Sequence, residues 1–227
     1  MGIPKEYFTS GIDPEVEASV QEAIKTLESL GMKKVEISLP HLQYSVAAYY
    51  IIACAEASAN LSRYDGVRYG YRSKSSDNLL GMYMNTRQEG FGEEVKRRIM
   101  LGTFVLSSGY YDAYYLKGQK VRTLIKQDFE NAFDQCDEII APNSPVTAFK
   151  LKERVNDPIK MYLSDIYTIS ANLAGIPGIS IPCGISKKNG MPIGLQLMSK
   201  HFDEESLIAV GHLFQLNTDH HLRQPSL

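Results

Sequence analysis

The chemically conspicuous residues of this 227-residue chain are two charges that interrupt apolar patterns. Between Glu93 and Leu106, Val95 and Ile99 mark the apolar face of an expected helix. At roughly 100° per residue, Arg98 falls close to that face and Arg97 points away from it. Around Met161, in an expected helix from Met161 to Asn172, Asp165 falls on one stripe with Met161 and Ile169. A buried charge is costly unless it meets a partner or a ligand. Two readings follow. Arg98 and Asp165 pair with each other, or each with another charge, as structural salt bridges. Alternatively they receive a zwitterion, because the arginine fork grips a carboxylate through two parallel hydrogen bonds and an aspartate accepts from an ammonium.

The familiar catalytic arrangements are missing. No Gly-Lys dipeptide occurs, so no phosphate-binding P-loop is present, and no H-E-x-x-H zinc motif exists among His41, His201, His212, His220 and His221. His220-His221 is a faint metal signal that reads better as a solvated tail. Gly178-Ile179-Ser180 continues into Ile181-Pro182, which is not a nucleophile elbow. Cys54, Cys136 and Cys183 are scattered and odd in number, which fits reduced thiols of a cytoplasmic protein and neither a disulfide framework nor a zinc site. By its motifs the chain carries no recognisable catalytic nucleophile.

The elements that must position these residues alternate between helix and strand. Asp13-Pro14 is a helix start, with an N-cap acid before a proline at the first helical position. Val16, Val20, Ala23, Ile24, Leu27 and Leu30 then recur at helical spacing until Gly31. Lys33 to Leu39 alternates like a half-buried strand around Val35 and Ile37. Leu42 to Leu61 is an apolar helix whose Gln43, Glu56, Ser58 and Asn60 suit burial in protein and not in lipid. A polar, Tyr-bearing loop follows from Ser62 to Asn78, then helices over Leu79 to Gln88 and Glu93 to Leu106. Tyr110 to Phe133 is the longest periodic segment, with Tyr111, Tyr114, Tyr115, Val121, Ile125, Phe129 and Phe133 on one stripe. Strands are expected near Ile139, Ile181 and Leu195, the last two joined through the turn signal Asn189-Gly190. Asp203 to Leu216 is a closing amphipathic helix. Gly2-Ile3-Pro4 opens like a strand already under way. With no linker, repeat or low-complexity tract, residues 1–227 read as one α/β unit: a mixed β-sheet flanked by helices.

Composition agrees. Hydrophobic residues make up 44% of the chain, enough for a substantial core, and the formal net charge is -2. A protein that grips RNA alone normally carries a basic face, so any RNA in this function is held by a partner. The start of the chain shows no signal-peptide pattern.

Several strings together resemble the amidase-signature family, and within it the A subunits of glutamyl-tRNA(Gln)/aspartyl-tRNA(Asn) amidotransferases. They are Gly2-Ile-Pro-Lys-Glu-Tyr-Phe8, the run from Glu56 to Gly66, Thr86-Arg-Gln-Glu-Gly-Phe-Gly92, and Glu94-Val-Lys-Arg-Arg-Ile99. Further along come Leu101 to Tyr115, Gln119 to Ile125, Asn172-Leu-Ala-Gly-Ile-Pro-Gly178 with its continuation to Gly184, and Pro192-Ile-Gly-Leu-Gln196. The resemblance runs in order along nearly the whole chain. Two departures are local: Pro142-Asn143 stands where the family usually has Pro-Thr, and Ser170-Ala171 where it has a proline before Asn-Leu-Ala-Gly.

The resemblance implies a C-terminal half of an amidase-signature domain. The family's catalytic lysine and two serines fall in the half before it. It implies further that Arg98 takes the α-carboxylate of glutamine, that Asp165 partners its α-ammonium, and that Tyr49 lines the pocket. It also implies that no cofactor is held by this chain and that B and C subunits are partners, with ATP, magnesium and charged tRNA held by the B partner. Another amidase-signature hydrolase, acting on aryl or acyl amides, is a second reading, but it has no use for an α-carboxylate clamp. The third is a non-catalytic scaffold that docks partner subunits.

Overall fold

The computed structural model describes residues 1–8, 11–75, 78–151, 153 and 164–224. The chain packs as two compact units. One comprises Met1–Val46 with Arg122–Leu227, the other Ala47–Val121.

The first unit is built on a mixed five-stranded sheet: β1 (Gly2–Pro4), β2 (Val35–Ile37), β3 (Glu138–Pro142), β4 (Gly178–Ile185) and β5 (Pro192–Ser199). Their order is β2-β1-β3-β5-β4, with β1 parallel to β2 and β3, and β5 antiparallel to β3 and β4. The helix α1 (Pro14–Ser29) begins as its sequence dictates: the Asp13 carboxylate accepts from the Glu15 amide at 2.8 Å, and Pro14 occupies the first turn. Its apolar stripe, Val16, Val20, Ile24 and Leu27, is buried. It shares a core with Ile140, Ile181, Leu195 and Leu197 of the sheet and with Leu207 and Phe214 of a later helix, Glu204–Leu216. The β4–β5 hairpin turns at Asn189-Gly190. Gly190 takes the left-handed φ of 70°, and the Asn189 side chain accepts from the Met191 amide at 3.1 Å.

The second unit holds most of α2 (Ser45–Leu61), then α3 (Leu79–Gly90) and α4 (Glu93–Val105). The chain crosses between the units inside α2 and again inside α5 (Lys117–Phe133), which is why no linker marks the division. Residues Tyr111–Leu116 form a wide π turn ahead of α5. That turn changes the helical phase, so the long stripe expected from the sequence is not continuous: Ile125, Phe129 and Phe133 are buried, whereas Tyr111 and Tyr114 are exposed.

The expected helix from Met161 to Asn172 is corrected. Residues 164–168 form turns, and α6 spans only Ile169–Ala174, closed by Gly175 at φ 77°. Met161 itself lies outside the described residues. The closing helix Glu204–Leu216 is α7.

Candidate functional site

Arg98 lies on the second turn of α4. Its helix is held against α2 by a close backbone approach: a Cβ on Gly102 would sit 1.9 Å from the Cys54 carbonyl oxygen. Near the same crossing the Ser58 and Thr103 hydroxyls are 3.0 Å apart. One turn back, the crossing brings Arg98 over α2, with its guanidinium carbon 5.6 Å from the centre of the Tyr50 ring. Tyr50 in turn meets Tyr49 edge-on, the ring centres 5.1 Å apart.

The guanidinium is fixed on several sides. Its Nε donates to Glu94 Oε1 at 2.9 Å, and the Tyr49 side chain stands near enough to favour its charge. Burial works against its charge. The hydrogen bond to Glu94, the nearby Tyr49 hydroxyl and the Glu94 charge outweigh that cost and hold it more firmly protonated than a free arginine. Glu94 also accepts from Arg97, and it is held below its usual pKa: burial opposes, and the bonds and charges of Arg98 and Arg97 prevail. The Arg98 side chain is 30% exposed and that of Arg97 50%, the ordering that helical phase predicts. The pairing partner is Glu94, one helical turn back, a local signal of the i,i+4 kind that the sequence carried in plain view.

Tyr49 and Arg98 are therefore brought together, and both belong to the second unit. Asp165 belongs to the first. Its position on a buried helical stripe is corrected by the fold: it sits in the turn before α6 and is exposed, its carbonyl oxygen accepting from the Thr168 and Ile169 amides at 3.0 and 3.1 Å. The α6 region also borders a cavity of about 250 Å³ whose lining includes the polar residues Asn143, Thr168, Asn172, Ser180 and Gln196. None of these five was a candidate site residue in the sequence, because lone Asn, Gln, Ser and Thr residues in loops and strands carry no periodic signature.

Two further polar side chains have structural roles. Asp128 accepts from the His41 backbone amide at 2.7 Å and meets its ring nitrogen at 2.9 Å, which fixes the chain ahead of α2. Arg87 donates to the Leu61 carbonyl at the end of α2 at 3.0 Å and lies over Phe91. The three cysteines are free and buried. Among the described residues no helix is long and apolar enough to cross a membrane.

The Amidase family model matches residues 1–208. The chain belongs to the amidase family. Over all 227 residues it is 59% identical to the glutamyl-tRNA(Gln) amidotransferase A subunit from Halalkalibacterium halodurans and 58% identical to that from Heliobacterium modesticaldum. It spans 46% of the length of each, so it corresponds to about half of such a protein. Among solved structures, the glutamyl-tRNA(Gln) amidotransferase A subunit from Thermotoga maritima superposes with a TM-score of 0.72 at 40% identity, over 96% of this chain and 42% of that one. An amidase at 18% identity superposes equally well, which shows that the mixed sheet and its helices are the amidase-signature fold.

Proposed function

We propose that this amidase-family chain is the glutamine-binding half of a glutamine-hydrolysing subunit. Its ammonia would convert Glu-tRNA(Gln), or Asp-tRNA(Asn), to the amidated form. The observation that carries this reading is the Arg98 guanidinium. It is charged, half-buried, placed over the Tyr50 ring and beside Tyr49. A carboxylate of an amino-acid amide is the ligand that such a group suits, and aryl or acyl amides offer none. The names of relatives at 58–59% identity, glutamyl-tRNA(Gln) amidotransferase A subunits, support a tRNA-linked amidotransferase.

In this reading Arg98 takes the α-carboxylate, Tyr49 lines the pocket beside it, and Asp165 accepts from the α-ammonium. Residues 1–227 act as one C-terminal half of the domain. The catalytic lysine and serines lie outside them, and no cofactor is bound here. B and C subunits complete a cytoplasmic complex in which the B subunit holds ATP, magnesium and the charged tRNA.

The test is Arg98→Ala in the assembled enzyme that carries this chain, assayed with glutamine and with ammonium as alternative nitrogen donors. Loss of a charge-assisted, bidentate contact costs on the order of 2–4 kcal/mol of glutamine binding. Ammonium needs no α-carboxylate clamp, so the ammonium-driven reaction stays intact. Unchanged glutamine use, or equal impairment with both donors, sinks the assignment.

A further inference from the structure

We infer that Glu94 is a positioning residue for substrate recognition, setting which edge of Arg98 meets the carboxylate; this rests on the glutamine-binding reading above. A guanidinium can grip a carboxylate side-on, through Nε and one terminal nitrogen, or end-on, through both terminal nitrogens. Glu94 Oε1 occupies the Nε edge at 2.9 Å. The side-on approach is therefore taken, and the end-on approach through the terminal nitrogens remains for the substrate. The Tyr50 ring lies 5.6 Å from the guanidinium carbon, and the Tyr49 side chain stands beside the group. Glu94 is itself steadied from the other side, because its second oxygen accepts from Arg97.

The same arrangement sets the charge. Glu94, Arg97 and Arg98 together carry one acid and two bases, a net charge of +1. One carboxylate balances it. Glu94 also stands in the first turn of α4, four residues before Arg98, where a carboxylate is favoured by the helix dipole, so it is stable in place before any substrate arrives. A clamp ordered in advance spares the binding step the cost of fixing a long, flexible side chain.

The experiment compares Glu94→Ala, Glu94→Gln and Arg98→Ala in the assembled enzyme that carries this chain, with glutamine and with ammonium as donors. Glu94→Ala frees the Nε edge, and the misplaced guanidinium raises the KM for glutamine about tenfold while kcat changes less than about twofold. The ammonium-driven rate is unchanged, which shows that the variant is folded. Glu94→Gln keeps an oxygen that accepts from Nε, so its KM stays within about threefold of the parent. Three outcomes overturn the inference. If Glu94→Ala leaves glutamine KM unaltered while Arg98→Ala abolishes glutamine use, the clamp stands without Glu94. Equal defects in the two Glu94 variants mean that charge and not position matters. Equal loss with both donors marks a structural residue. If Arg98→Ala itself leaves glutamine use intact, the underlying binding assignment fails, and that result is distinct from the other three.

Discussion

Glu138 begins β3 with its side chain buried, and its carboxyl is pushed up from 4.5 to about 7. Burial is the main cause. The Ser206 hydroxyl works against it without reaching hydrogen-bond geometry with either oxygen, and the charges of Asp203 and Asp137 add to it. The folded pKa is raised, so the stabilising difference is fully present below pH 4.5. It is lost as pH rises to about 7, because the unfolded chain has then released a proton that the folded one still holds. Glu138→Gln removes this titration. Relative to its difference from the parent at pH 4, the variant gains on the order of 1–3 kcal/mol at pH 8, read from denaturant midpoints at both values. A difference that does not change with pH would show that the carboxyl does not titrate in this range. Other single residues were legible to different degrees. Helical phase alone found Arg98 near a covered face. The same reasoning misplaced Asp165, because it carried one helix through Ser164, Asp165 and Thr168. Short polar side chains of this kind compete for backbone groups and favour turns and caps, and there the local chemistry won over the apolar spacing of Met161 and Ile169.

Elements were easier to read than their relations. The Asp13 cap, the stripe of α1 and the Asn189-Gly190 hairpin each follow from short-range chemistry, and each stands in the structure where the sequence placed it. The π turn at Tyr111–Leu116 left no such mark: its Tyr-rich sequence fits an ordinary helix, and only packing decides the extra residue per turn. The α2–α4 crossing was equally hidden, since Gly102 reads as a mild helix weakener and nothing more. Its function is to have no side chain. Gly102→Ala places a methyl carbon 1.9 Å from the Cys54 carbonyl oxygen and 2.6 Å from Ser58 Cβ, and backbone cannot retreat as a flexible side chain does. The helices must part, at a cost of about 1–3 kcal/mol or more, although alanine is the better helix former by up to about 1 kcal/mol. Thermal melts of the variant should therefore show a lowered midpoint. They should be accompanied by weaker glutamine binding in the assembled enzyme, because Arg98 is placed over Tyr50 by this same crossing. A midpoint equal to or above that of the parent would mean that the crossing is loose and does not position Arg98.

At the scale of the molecule the sheet ends in β2 on one side and β4 on the other. β4 is eight residues long, and Pro182 and the register shift between Pro182 and Gly184 blunt it as an outer strand. The chain spans 46% of the length of its Halalkalibacterium and Heliobacterium relatives. Three of the serines are held by acids. Ser186 donates to Glu15, Ser38 to Glu6 and Ser73 to Glu89, each a hydroxyl committed to a carboxylate of another element. Nucleophilic attack on an amide needs a serine whose proton is taken by a positioned base, with its oxygen directed at substrate. The expected outcome is that the purified chain of residues 1–227 releases no ammonia from glutamine, measured by a coupled ammonia assay over hours at high protein concentration. The N-terminal half of a related amidotransferase A subunit, supplied as a separate chain, should restore release if the two halves associate. Arg98→Ala in this chain should then raise the glutamine requirement. Turnover by the purified chain alone, abolished by changing one of its own serines, would place the nucleophile inside residues 1–227 and overturn the division of labour proposed for the two halves.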